Sequence, residues 1–388
     1  MKQIKTVVIA SSAAALTGIA ALATAAVTTD QIIVKIGHVA GTSGPAAHLG
    51  KDNENGARMA IEELNAKGTM IGGKKVQFVL VAEDDGADPK QATTAAQKLV
   101  DSKVNGVVGH LTSGSAIPAS KIYNAAGIPQ IAPSVTAIAY TANGYKSTFR
   151  VVANDGFLGA TLGGYAVKDL NAKTVAVIDD RTAFGQGLAD QFIKGAKAAN
   201  PSIKMAQRQY TNDKATDFNA ILTSIKASKP DVIFFGGMDA VAGPMMRQMK
   251  ALGITAKFMG GDGVCTEKII SLAGDALGND QLYCAIAGGV VDADKKSAED
   301  FKVAYKKRFG TDVQLYAPYV YDSVMTMVDA MQQAKSANPD VYLPYLQKIQ
   351  HKGVMGPIAF DAKGDIKNGA ISLYSYQNGK QTLITVVH

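Results

Sequence analysis

Along the chain, short apolar runs of strand length alternate with stretches whose apolar positions recur every three or four residues, the spacing of an amphipathic helix. Residues 31–40 read as a strand, 48–68 as a helix ending at Gly68, 74–85 as a strand, and 88–102 as a helix with Asp88 as cap and Pro89 at its first position. Strand 104–111, helix 117–127 and strand 128–133 complete this series. After residues 145–155 the pattern restarts: helix 162–170, strand 174–180, helix 184–199, a stretch 217–228 leading into strand 231–237, helix 243–253 and strand 257–263. Two series of this kind predict an α/β fold with two doubly wound parallel-sheet lobes. Beyond Cys284, residues 298–310 and 316–335 read as helices, and 356–366 and 371–387 as a terminal hairpin or sheet edge. Chain returning between lobes accounts for these segments, making a multi-stranded hinge with a cleft between the strand ends. The expected division is 1–26 signal peptide, 27–152 with 287–355 as the first lobe, and 153–286 with 356–388 as the second.

Two consecutive strand-to-helix junctions between Gly109 and Thr136 stand out. The turns 112–115 and 134–137 each place a hydroxyl residue, Ser113 and then Thr136, where a helix should begin. Free amides and hydroxyls would converge there beyond the carboxyl ends of neighbouring parallel strands, a socket for a small anion. The plainer alternative is that both residues are ordinary N-caps.

Lys2 and Lys5, an alanine-rich apolar stretch and Ala23-Thr24-Ala25 form an export signal with cleavage near Ala25 or Ala26, implying a periplasmic product. The formal charge of +7 is scattered rather than clustered, which leaves no nucleic-acid footprint. Cys265 and Cys284, in a chain bound for an oxidising compartment, are expected to form a disulfide. Neither cysteine stands in zinc-ligand spacing with a histidine, so no metal and no cofactor is expected. Asp84, Asp85, Asp179 and Asp180 end strands and are the residues an enzyme reading would use. With no phosphate-binding glycine motif and no nucleophile constellation, they read instead as turn and helix caps.

The chain resembles the type I periplasmic solute-binding proteins of ABC transporters, in particular the leucine/isoleucine/valine-binding group. The marks are residues 42–77, 83–100, 109–120 (GHLTSGSAIPAS), 184–192 (FGQGLADQF), 258–264 (FMGGDGV) and 354–365. The resemblance implies that the carboxylate of a free amino acid is held by Ser113 and Thr136, and its ammonium by the Ser134 carbonyl and Asp262. Aspartate stands there in place of the commoner glutamate. Phe184 and Met238 occupy positions where the group often has tyrosine, and Leu111 and Thr112 flank the side-chain pocket, with His48 or Leu49 nearby. Phe157 and Leu158 stand where relatives are polar. Together these replacements point to an apolar ligand side chain. The resemblance also implies hinge closure over the ligand and delivery to an inner-membrane permease with its ATPase, by a protein that is by default a monomer. The same scaffold takes amides, urea-like compounds, aromatic carboxylates and other amino acids, and a sensor role is a further alternative.

Overall fold

The computed structural model describes residues 31–290 and 294–388; the expected export signal lies outside them. The first series runs β1 (Gln31–Ala40), α1 (Ala47–Ala66), β2 (Met70–Ile71), β3 (Lys74–Asp84), α2 (Pro89–Asp101), β4 (Gly106–Gly109), α3 (Ser113–Ala125), β5 (Gln130–Ala132), α4 (Ala139–Ala142) and β6 (Thr148–Arg150). Its strands form one sheet in the order β2-β3-β1-β4-β5-β6, parallel except for β2 at the edge. The second runs α5 (Asp155–Lys168), β7 (Thr174–Asp179), α6 (Ala183–Ala199), β8 (Lys204–Tyr210), α7 (Asn219–Ala227), β9 (Val232–Gly236), α8 (Asp239–Ala251), β10 (Lys257–Gly260), α9 (Lys268–Ala273) and β11 (Leu282–Ile286). Every residue of β9 (VIFFG) is buried, as a strand covered by helices on both faces requires.

Three further helices, α10 (Lys295–Phe309), α11 (Ala317–Gln333) and α12 (Pro339–Leu346), return to the first sheet. There α11 lies on α1, β4 and β5. The Tyr342 hydroxyl donates to the Asn105 carbonyl at 2.8 Å, and Arg308 pairs with Glu62. Asp52 of α1 accepts the amides of Gln314, Leu315, Tyr316 and Ala317 at 2.8–3.1 Å and so holds the start of α11. After a small ribbon, β12 (His351–Lys352) with β13 (Pro357–Ile358), the chain ends in the hairpin β14 (Ile371–Gln377) and β15 (Lys380–Val387). This hairpin extends the second sheet antiparallel, giving β15-β14-β11-β10-β9-β7-β8.

Several elements differ from the sequence expectation. Helix α5 begins at Asp155, capped by the Asn154 side chain, and runs through Gly156, Gly159 and Gly163. Glycine weakens an isolated helix, but here it lets α6 approach: a Cβ on Gly163 would lie 2.4 Å from the Ala196 nitrogen. The strand β8 (KMAQRQY), half-buried at the sheet edge, carries too many polar residues to be visible as an apolar run. The short β11 and the proline-containing α12 also escaped the pattern. Residues 356–366 do not pair with 371–387; they close a local turn through a Phe360–Ile366 bridge. Cys265 and Cys284 form the expected disulfide, tying the loop after β10 to β11, which stabilises the fold by about 3 kcal/mol on the loop-entropy model.

Candidate functional site

A cavity of about 430 Å³ opens between the carboxyl ends of the two sheets. Leu111, Thr112, Ser113 and Ser134 line it from the first series, and Phe184, Met238 and Asp262 from the second. Seven of the residues singled out from the sequence therefore line one cavity. A larger hollow of about 820 Å³ beside β15 and α10 has no unpartnered buried side-chain polar atom among its lining residues, whereas the smaller cavity does.

On the first wall, Thr112 is the N-cap position of α3 and Ser113 its first residue. The Ser115 and Ala116 amides both donate to the Thr112 carbonyl, so the Ser113 and Gly114 amides lie ahead of the ladder and at the cavity. Neither hydroxyl caps the helix: Thr112 Oγ1 donates to Ser115 Oγ, and Ser113 Oγ accepts the Ala137 amide at 3.3 Å, tying the two turns together. The Ser134 hydroxyl donates to the Leu111 carbonyl at 2.7 Å.

The second turn does not begin a helix at Thr136. Helix α4 starts only at Ala139 and spans four residues; ahead of it the Val135 carbonyl is taken by the Arg150 guanidinium and the Thr136 carbonyl by the Asp155 amide, while the Ala137 carbonyl accepts both Arg150 and the Tyr140 amide. The expectation of two converging helix N-termini is thus corrected to one, that of α3. Thr136 is fully buried behind the cavity wall; its hydroxyl faces the Asp155 carboxylate and pulls that group's pKa down, though no close hydrogen bond forms between them.

On the opposite wall, Asp262 sits between Gly261 and Gly263 after β10, and the missing side chains make room for its neighbours. A Cβ on Gly263 would lie 2.6 Å from Met238 Sδ and 3.1 Å from the Phe184 ring. One carboxylate oxygen accepts the Gly263 amide at 3.1 Å; the other, Oδ2, has no partner although Asp262 is buried. Burial lifts its pKa to about 6, against the pull of the Tyr316 hydroxyl, which faces it, and of the Gly263 amide.

Two residues of this arrangement were not found by sequence reasoning. Tyr316, at the start of α11, lines the cavity, and burial together with the Asp262 carboxylate keeps its phenol protonated. Asp155, at the start of α5, is buried with both carboxylate oxygens unpartnered. Its pKa is pushed to about 8, first by burial and then by the Asp262 charge. The only signal for it was its place at the end of the FRVVAND run between the two series.

His48 does not line the cavity; its Nε2 lies 2.8 Å from Asp239 Oδ2, which also accepts the Thr266 hydroxyl. This pair links α1 to α8 across the cleft. Leu49 and Leu158 are core residues, and Phe157 packs against that core. The apolar wall is supplied instead by Leu111, Phe184 and Met238 with Pro45, Ala87 and Pro89. The strand-end aspartates accept turn amides: Asp84 those of Thr42 and Gly86, Asp85 that of Ala87, Asp179 that of Arg181 and Asp180 that of Thr182; Asp85 and Asp179 also pair with His110 and Arg208, and Asp180 lines the cavity with Oδ2 unpartnered.

Residues 33–381 match the model of a family described as periplasmic binding protein. An amino acid binding protein of Pseudomonas aeruginosa is 36% identical over 348 residues, covering 89% of this chain and 90% of that protein. A leucine-, isoleucine-, valine-, threonine- and alanine-binding protein of the same organism is 33% identical, covering 88% and 90%. The solved structure of the branched-chain amino acid transporter substrate-binding protein LivJ from Streptococcus pneumoniae, in complex with isoleucine, superposes with a TM-score of 0.82 at 28% identity, covering 92% of this chain and 99% of that one. Among the described residues no helix is long and apolar enough to cross a membrane.

Proposed function

The chain belongs to the periplasmic binding protein family, whose members are solute-binding proteins of transporters rather than enzymes, and from that premise we propose that it captures a free α-amino acid with an apolar side chain: leucine, isoleucine or valine. The observation that carries this reading is the charge arrangement. Asp262, which lines the cavity, and Asp155, buried just behind it, are neighbouring carboxylates faced, among the described residues, only by the Tyr316 and Thr136 hydroxyls and the Gly263 amide, while the opposite wall offers the leading amides of α3 and the Ser113 hydroxyl. An α-ammonium on the aspartates and an α-carboxylate on α3 would give each ligand charge a partner out of water. Ser134 and Thr136 complete the polar end in this reading. Leu111, Thr112, Phe184 and Met238 surround the side chain. The lobes, expected as 27–152 with 287–355 and 153–286 with 356–388 but with residues 360–366 docked on β6 of the first, close on the ligand about the three crossings, and the closed form is handed in the periplasm to an ABC permease.

Thermal unfolding of refolded, ligand-stripped protein against amino acids, amides, urea and aromatic carboxylates tests this. A ligand at a thousand times its dissociation constant adds about 4 kcal/mol to the native state, so leucine, isoleucine or valine should raise the melting temperature clearly. If only an amine-free carboxylate or an amide stabilises the protein, the ammonium role of the aspartates is wrong.

Proton linkage gives a second expectation. At pH 7 Asp155 in the free protein holds its proton, since its pKa is near 8. An arriving ammonium favours the ionised form, so binding should release up to about one proton. Affinity should therefore strengthen as pH rises from 5 to 8. Calorimetry in buffers of differing ionisation enthalpy reads the release directly, and Asp155→Asn should abolish most of it at pH 7. An unchanged release in that variant would remove Asp155 from the ammonium site.

A further inference from the structure

Arg150, at the end of β6, is the largest of the fully buried side chains among the described residues, and it is not exposed at the cavity. Its guanidinium holds four acceptors at once. Nη1 donates to the Val135 carbonyl at 2.9 Å and the Ala137 carbonyl at 3.0 Å, Nη2 donates to Thr141 Oγ1 at 2.7 Å, and Nε donates to Asp365 Oδ1 at 2.6 Å. Val135 and Ala137 are the two neighbours of Thr136. The third carbonyl of this turn, that of Thr136 itself, accepts the Asp155 amide at 2.8 Å.

Asp365 comes from the last crossing between the sheets. Its carboxylate also accepts the Thr141 hydroxyl at 2.9 Å and, on Oδ2, the Asn154 amide side chain at 3.2 Å. Asn154 in turn caps α5 through the Gly156 and Phe157 amides, immediately beside Asp155. The backbone around Asp365 is docked just as firmly. The Gly364 carbonyl accepts the Arg150 amide at 2.9 Å, and a Cβ on Gly364 would lie 1.9 Å from the Thr148 carbonyl.

We propose that Arg150 and Asp365 form a clamp through which the last crossing fixes the Thr136 turn and the start of α5, and so positions the polar end of the ligand site. The proposal rests on the amino-acid reading given above for Thr136 and Asp155. Both residues are positioning residues, because neither needs to touch the ligand. Three carbonyls in succession are claimed by side-chain or main-chain donors, which holds the Thr136 turn out of a helix and keeps its hydroxyl beside the Asp155 carboxylate. The planar fork of arginine is required, because a lysine ammonium cannot reach two carbonyls, a hydroxyl and a carboxylate from one point.

The test compares Asp365→Ala and Asp365→Asn with Asp361→Ala. Asp361 accepts the Lys363 and Asp365 amides, so its loss loosens the same turn without removing a group that bonds Arg150. In ligand-free, isotope-labelled protein, Asp365→Ala should accelerate amide exchange at Asp155 by at least about tenfold relative to Asp361→Ala, and should speed leucine release by a similar factor. Asp365→Asn, which keeps an acceptor for Nε, should recover most of both. Wild-type exchange and release in Asp365→Ala, or equal effects from Asp361→Ala, would overturn the clamp. Should the wild type bind no amino acid, the functional reading fails, while the exchange measurement still decides on the clamp.

Discussion

Replacing Asp262 with alanine should weaken leucine binding by roughly 10- to 100-fold, the loss expected when a charged hydrogen-bond partner is removed from a buried ion. Isothermal titration measures it, and affinity within twofold of wild type would take Asp262 out of the site. Asp262→Asn should fall between, since it keeps an acceptor oxygen but not the charge. The same change should stabilise the empty protein. The Asp262 pKa is raised to about 6 in the fold, so the folded chain binds more protons than the unfolded one between about pH 4 and 6. Its burial therefore costs stability as pH rises through that window, and the full penalty, on the order of 2–3 kcal/mol, applies above it. At pH 8 ligand-free Asp262→Asn should melt above wild type, and at pH 4 the difference should largely vanish. Affinity and stability are opposed at this position, as expected for a buried group kept for binding.

The largest loss of stability is expected from Asp52→Ala. The Asp52 carboxylate is the shared acceptor for four successive amides entering α11, and it is buried. Removing it leaves those donors without a partner and opens a cavity, at a cost of about 3–4 kcal/mol. The melting temperature should drop by roughly 5–10 °C. Tyr316 is one of the four, and its hydroxyl faces Asp262, so leucine affinity should fall as well. An unchanged melting temperature would mean that water or a local shift satisfies these amides in the variant.

The cavity wall was legible where short motifs sit at strand ends. The runs around Ser113 and Asp262 place a turn directly after a buried strand, and local pattern fixes such places. Thr136 was located but not its geometry, because the turn carbonyls there are taken by the Asp155 amide and by Arg150, a basic residue whose burial no local pattern announces. Tyr316 was missed for a related reason. It reads as part of a helix that belongs by order to neither lobe, and only the return of α11 to α1 brings it over Asp262. Asp155 was hidden by the glycines of α5, which read as a break until α6 is seen packed against them. His48 was placed near the cavity and stays beside it, bonded to the cavity-lining Asp239, without lining it itself.

The antiparallel hairpin at the edge of the second sheet has a consequence for the order of events in folding. The neighbour of β11 is β14, and all of residues 287–370, including three helices that pack on the other sheet, lie between them. The second sheet thus waits for the last-synthesised strands, and the first for helices that follow most of the second. Long-range pairings of this kind form slowly, since the loop must close before its contacts contribute. A nascent chain of this topology remains without a finished sheet-and-helix layer on either side until β14 and β15 have emerged.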